Sequence, residues 1–187
     1  MTDINEAKVL IVATNGFQED ELFSPHEHLT KSGAKVHLAS LEMDEISSGK
    51  EDSRSIKPDL LIKDAKSKDY DAIVRPGGLG NPDTLRTEES VKLLVRNFAE
   101  EGKVIAAICH APWVLISADI VKGREMTSYP SIQDDLRNAG ANWVDKEVAV
   151  SNGIITSRSP DDLKAFNAKI VEEIREGRHD RPASQAA

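Results

Sequence analysis

With 187 residues, 39% of them hydrophobic and 30% charged, the chain suits one globular domain with a sizeable core rather than two small ones. A formal net charge of −8 leaves no basic stripe to neutralise phosphates and so argues against nucleic-acid or anionic-membrane partners. No apolar run approaches the roughly 18 residues of a bilayer span, MTDINEAK lacks the regions of a signal peptide, and a lone cysteine permits no internal disulfide, so a cytoplasmic protein is expected.

Lys8 to Thr14 is a continuous apolar run of the kind found in a buried parallel strand, ended by Asn15-Gly16. The acidic stretch Glu19-Asp20-Glu21 opens a helix expected to reach Lys31 or Ser32 before Gly33 stops it, with Pro25 kinking or restarting it. Val36 to Leu41 reads as the second strand, and a polar excursion through Ser47 to Lys50 leads to a weak strand signal at Leu60 to Ile62. Tyr70 to Arg75 is another strand and empties into Pro76-Gly77-Gly78-Leu79-Gly80-Asn81-Pro82. Three glycines in four positions imply positive φ or a close backbone approach. The spacing is neither GxGxxG nor a P-loop, so no nucleotide cofactor is expected; peptide N–H groups at Gly77 and Gly78 could instead form an oxyanion hole.

A helix is predicted from Glu88 to Glu101, with Val91, Leu94, Val95 and Phe98 on one face and Gly102 closing it. Val104 to Ile108 then runs as a strand into Cys109-His110-Ala111-Pro112, after which helical spacing takes over. A thiol at such a strand-turn-helix elbow faces the positive end of a helix dipole, which favours the nucleophilic thiolate. The other reading makes Cys109 a small buried hydrophobe. Further on come a short strand at Gly123 to Ser128, a helix from Ser131 to Ala139, a hairpin turning at Ser151-Asn152-Gly153, and a last helix to Glu176 with Ser159 as N-cap and Pro160 at N1. Residues from about 177 to 187 read as a loose tail of a single domain spanning 1–187. His26 and His28 face different ways on a helix, while His37 and His179 lie in a strand and the tail, so no metal site is expected. The fold class is α/β, a three-layer α/β/α sandwich on a mainly parallel sheet.

AICHAP, RPGG about thirty residues before it, FQEDEL after the first strand and TSRSPDDL near the last helix together resemble the PfpI-type branch of the DJ/PfpI superfamily. The resemblance runs from Lys8 to about Glu176 and implies a flavodoxin-like fold without cofactor. It implies a stress-response hydrolase acting on glyoxal-derived adducts of proteins or small molecules, an intracellular cysteine peptidase, or a redox sensor or chaperone working through oxidation of Cys109. Carried over by position, Cys109 matches the nucleophile, His110 the histidine that follows it, Glu21 the glutamate leaning on the cysteine, and Gly77 and Gly78 the pocket glycines. Asp83 is the nearest match to an acidic residue that reaches His110 from a neighbouring subunit, so a homodimer or homohexamer is expected; otherwise Asp83 caps the short helix near Pro82. Ala111 stands where the family usually has glycine, and Gln18 where it often has glutamate. Arg158-Ser159-Pro160-Asp161 replaces the His-Pro-Glu pair of class I glutamine amidotransferases, which excludes glutaminase chemistry.

Glu21 beside a thiolate should have a raised carboxyl pKa, because two like charges cannot both ionise cheaply.

Overall fold

The computed structural model describes residues 2–181. The chain begins with β1 (Lys8–Val12), α1 (Glu19–Lys31) and β2 (Lys35–Ser40). The polar excursion holds a small antiparallel pair, β3 (Ile46–Ser47) with β4 (Ser55–Ile56), before β5 (Leu60–Leu61). Then come β6 (Ala72–Arg75), α2 (Gly80–Leu85), α3 (Glu89–Glu100), β7 (Val104–Ile108) and α4 (Pro112–Ser117). The last third comprises β8 (Glu125–Met126), α5 (Gln133–Asn138), β9 (Asn142–Trp143), β10 (Val148–Ser151), β11 (Ile154–Ser157) and α6 (Leu163–Glu176).

Seven strands form one sheet in the order β10-β11-β7-β6-β1-β2-β5, parallel throughout except for the β10–β11 hairpin. Alternation along buried strands supplies two cores. Val9, Ile11, Ala106 and Ile108 pack with Leu22 of α1 and Phe166 of α6 on one face, whereas Leu10, Val12, Ile105 and Ala107 meet α3, α4 and α5 on the other. On α3 the predicted stripe Val91, Leu94, Val95 and Phe98 is buried, each side chain contributing roughly 1.5–3 kcal/mol by leaving water. β7 lies inside the sheet between β6 and β11, so its C-terminal end delivers Cys109 to a crevice walled by loops from both neighbours. Among the described residues no helix is long and apolar enough to cross a membrane.

Several local expectations are corrected. α1 is continuous through Pro25, which is buried and adds no N–H to the ladder but does not break it. The predicted 131–139 helix is a 3₁₀ turn at Pro130–Ile132 followed by the shorter α5, and the strand near Gly123 shrinks to β8. Ser159 makes no side-chain cap; a 3₁₀ turn at Pro160–Asp162 precedes α6, and buried Asp162 instead accepts from the backbone N–H, Nε and Nη2 of Arg158.

Residues 177–181 are not loose. His179 donates its backbone N–H to Gly102 O at 2.7 Å, and the Arg181 guanidinium donates to the carbonyls of Asn152, Phe98, Ala99 and Lys103. Phe98 and Ala99 lie in the last turn of α3, where their carbonyls also accept from the N–H groups of Lys103 and Gly102, so Arg181 adds a side-chain donor from a distant segment to that helix end. The remainder of the expected tail, 182–187, lies outside the described residues. Arg75, at the end of β6, is 1% exposed with Nε and Nη1 buried and without hydrogen-bond partners, and burial pushes its guanidinium down to about 9.

Candidate active site

Cys109 follows the last residue of β7 and has φ +63°, a left-handed conformation that costs a non-glycine residue about 1–3 kcal/mol unless its surroundings impose it. Two ties impose it: Cys109 N–H donates to Ser157 O at 3.0 Å, and Tyr129 N–H donates to Cys109 O at 2.9 Å. The side chain is 7% exposed, with Glu21 of α1 beside it.

Glu21 is fully buried. Its position is set by Gln18, the N-cap of α1, whose Oε1 accepts from Glu21 N at 2.8 Å and whose own N–H donates to Gly77 O at 3.3 Å. Gly77 N–H donates to Glu21 Oε2 at 2.8 Å, while Oε1 has no nitrogen or oxygen partner. A Cβ on Gly77 would lie 2.6 Å from Glu21 Oε2 and 2.7 Å from Cys109 Cβ, so only glycine lets carboxyl and thiol sit this close. Gly78 has φ +80°, and its backbone N–H acts to lower the pKa of both the carboxyl and the thiol. Of the two glycines expected to supply an oxyanion hole, Gly77 donates its N–H to Glu21, while the backbone N–H groups of Gly78 and His110 act to lower the thiol pKa.

His110 turns back onto its neighbour. Its Nδ1 lies 3.2 Å from Cys109 Sγ and its Nε2 lies 3.0 Å from Ser131 Oγ. The ring stacks on Tyr129 at 4.8 Å between centroids and meets Trp113 edge-on at 5.2 Å. Sequence reasoning missed Ser131, because it reaches His110 through a loop whose path only the tertiary structure fixes. Asp83 is exposed in the first turn of α2, which begins at Gly80, so it is not the N-cap. Its side chain makes no hydrogen bond or ion pair among the described residues, and within one chain it is not joined to His110.

Burial pushes the Glu21 carboxyl up to about 7, against the hydrogen bonds from Gly77, Cys109 and Gly78 that favour its ionised form. The direction is the expected one but the cause is not: burial raises the carboxyl pKa, and the neighbouring thiol lowers it through a hydrogen bond. The expected low thiol pKa is overturned: burial first, and the Glu21 charge second, push Cys109 up to about 12. The helix behind the elbow explains why its dipole does not prevail, since α4 has only six residues and starts at Pro112. Burial also lowers the pKa of His110, leaving at neutral pH an uncharged imidazole able to take the thiol proton. Chemically the arrangement is a buried thiol with a base at Nδ1 and a carboxyl that limits the local charge to one.

The family model described as the DJ-1/PfpI family matches residues 7–173. Deglycase PH1704 of Pyrococcus horikoshii is 40% identical over 168 residues, covering 90% of this chain and 99% of the relative. General stress protein 18 of Bacillus subtilis is 37% identical over 165 residues, covering 88% and 95%. The crystal structure of Drosophila melanogaster DJ-1beta superposes with a TM-score of 0.82 at 32% identity, covering 91% of this chain and 95% of that one. A match of this extent, over the same strands and loops that converge on Cys109, places the chain in the DJ-1/PfpI family.

Proposed function

We propose that the chain is a cysteine-dependent stress-response hydrolase that removes glyoxal-derived adducts from proteins or small thiols and amines, in the cytoplasm and without a cofactor. The observation that carries this reading is the contact of His110 Nδ1 with Cys109 Sγ at 3.2 Å beside a fully buried carboxyl. In this scheme the thiol proton passes to His110 as the sulfur bonds to the adduct's electrophilic carbon, so no free thiolate need accumulate in a site that disfavours it. The backbone N–H groups of Gly78 and His110 then hold developing negative charge near the sulfur. The bond from that carbon to the amine or thiol breaks and the group leaves with a proton. A proton shift through an enediol then raises the sulfur-bound carbon to a thioester while the neighbouring carbonyl is reduced to a hydroxyl, and water hydrolyses the thioester to a hydroxy acid and the free thiol. The name of the deglycase relative supports this substrate class.

A homo-oligomer belongs to the proposal, with Asp83 of the partner subunit approaching His110. Its support is the exposure of Asp83 on the helix that follows Leu79, a large apolar residue 63% exposed at the site's edge. Peptidase action would need that second copy, because within one chain His110 Nε2 meets a serine hydroxyl and not a carboxylate.

The test is to incubate wild type and Cys109→Ser with the hemithioacetal of methylglyoxal and a small thiol, with a glycated amine, and with a fluorogenic peptide. Lactate release by wild type and none by the variant is the expected result. Equal release by both proteins overturns the nucleophile, and cleavage confined to the peptide replaces deglycation by proteolysis. Light scattering and turnover over a dilution series of wild type and Asp83→Asn address assembly: a fully active monomer removes Asp83 from the scheme.

A further inference from the structure

The underside of the sheet, opposite Cys109, gathers three side chains that the chemistry above does not use. Glu173 and Glu176 are one turn apart at the end of α6, and Gly177, with φ +95°, reverses the chain so that the imidazole of His179 returns to them. One ligand atom from each residue lies within 4.8 Å of the other two. The His179 ring is fixed by its backbone bond to Gly102 and by Gly153, where an added Cβ would come 2.2 Å from Cδ2.

Glu173 is 6% exposed, yet its carboxylate makes no hydrogen bond among the described residues. A buried carboxylate left so is expensive, and burial raises its pKa. The nearby cations are committed elsewhere: Lys169 Nζ pairs with Glu172 at 2.8 Å, and every nitrogen of Arg181 donates to backbone carbonyls. The nearest group is His179 Nε2 at 3.4 Å from Glu173 Oε2, itself buried without a hydrogen-bond partner. One orphaned ligand atom, His179 Nε2, thus faces a buried carboxylate oxygen, and exposed Glu176 offers a third ligand atom beside them.

We propose that Glu173, Glu176 and His179 bind one zinc-type divalent cation, which clasps residues 177–181 to α6 and the underside of the sheet. One imidazole nitrogen with two carboxylate oxygens suits zinc, whereas magnesium and calcium favour sets of six or more oxygens. Zinc–ligand distances near 2.1 Å put donors about 3.3 Å apart, a contraction that rotation of Glu176 supplies. The sequence hid the site because spacing alone does not reveal the reversal at Gly177.

The test uses the full chain carrying Cys109→Ser, so that the thiol cannot compete for zinc, stripped with chelator. Zinc chloride is titrated by calorimetry with the melting temperature followed in parallel, and magnesium chloride is the control. One zinc per chain, a higher melting temperature and no response to magnesium are expected. Glu176→Gln, at an exposed position that folding does not need, and His179→Ala should each weaken zinc binding at least about tenfold, while Glu172→Gln leaves it unchanged. Absence of saturable zinc binding, equal binding of magnesium, affinity unchanged in both ligand variants, or equal loss in Glu172→Gln overturns the site.

Discussion

His110 Nδ1 lies 3.2 Å from Cys109 Sγ although the two residues are adjacent in the chain. Side chains of successive residues usually diverge, and here the left-handed φ of Cys109 brings them together. Nε2, the other ring nitrogen, is held by Ser131 Oγ at 3.0 Å. Ser131→Ala should therefore lower kcat about tenfold with little change in KM, and His110→Ala should lower it by about 10² to 10⁴, the range of a positioned base. Steady-state turnover of the methylglyoxal hemithioacetal is the measurement; unchanged kcat in Ser131→Ala would show that the tether does not position the ring.

Glu21 links activity to stability. Its folded pKa, about 7, lies above the unfolded value of 4.5, so the proton is held more tightly in the folded state. The associated stability is complete below about pH 4.5 and is lost as pH rises through 7, up to about 3 kcal/mol in all. Glu21→Gln removes this dependence. Denaturant melts of both proteins at pH 5 and pH 8 should show wild type losing stability relative to the variant, and parallel curves would sink the assignment. Iodoacetamide alkylation of Cys109 reads the same coupling: above pH 7 the ionised carboxylate opposes thiolate formation, so the wild-type rate should climb less steeply than that of the glutamine variant.

Gly77→Ala places a methyl group 2.6 Å from Glu21 Oε2 and 2.7 Å from Cys109 Cβ. Neither neighbour can retreat, since one is tied to Gly77 N–H and the other to Ser157 O. A loss of about 1–3 kcal/mol of stability and of most turnover is expected, the usual cost of overpacking a filled interior. Thermal melting with an activity assay checks both; an active variant of unchanged stability would contradict the packing.

Arg75 should respond in the opposite sense. Its guanidinium is buried with two nitrogens unpartnered, and replacement of such a charge by an apolar side chain of similar length is often stabilising. Arg75→Met should raise stability by about 1–4 kcal/mol without altering turnover. A destabilised Arg75→Met protein would mean that the guanidinium has a partner that its buried surroundings do not reveal.

The legible parts of the chain were those where chemistry and chain order coincide. The apolar run of β7 ending in Cys109-His110-Ala111-Pro112 announces strand, turn and helix within a dozen residues, and the acidic opening of α1 holds Glu21 one turn from its cap at Gln18. Features assembled from distant segments were not legible. Ser131 meets His110 across a loop, the Gly77 N–H is taken by a carboxyl from α1, and Arg181 finds its four carbonyls on α3, before β7 and in the β10–β11 turn. The thiol was misjudged for a related reason: the helix dipole can be read locally, but the burial that outweighs it is a property of the whole fold.

The backbone tie from Cys109 to Ser157 has a consequence for the order of assembly. β11 is made long after β7, so the elbow does not exist in a chain that has yet to recruit its later strand. Until then the cysteine is exposed and reacts as any thiol in an unstructured peptide would. An adduct acquired at that stage must afterwards be accommodated in a space that Gly77 and Glu21 leave for bare sulfur. Chemical selectivity at this position is thus gained at the moment of folding, and protein refolded in the presence of an oxidant should carry different products from protein oxidised in its native state.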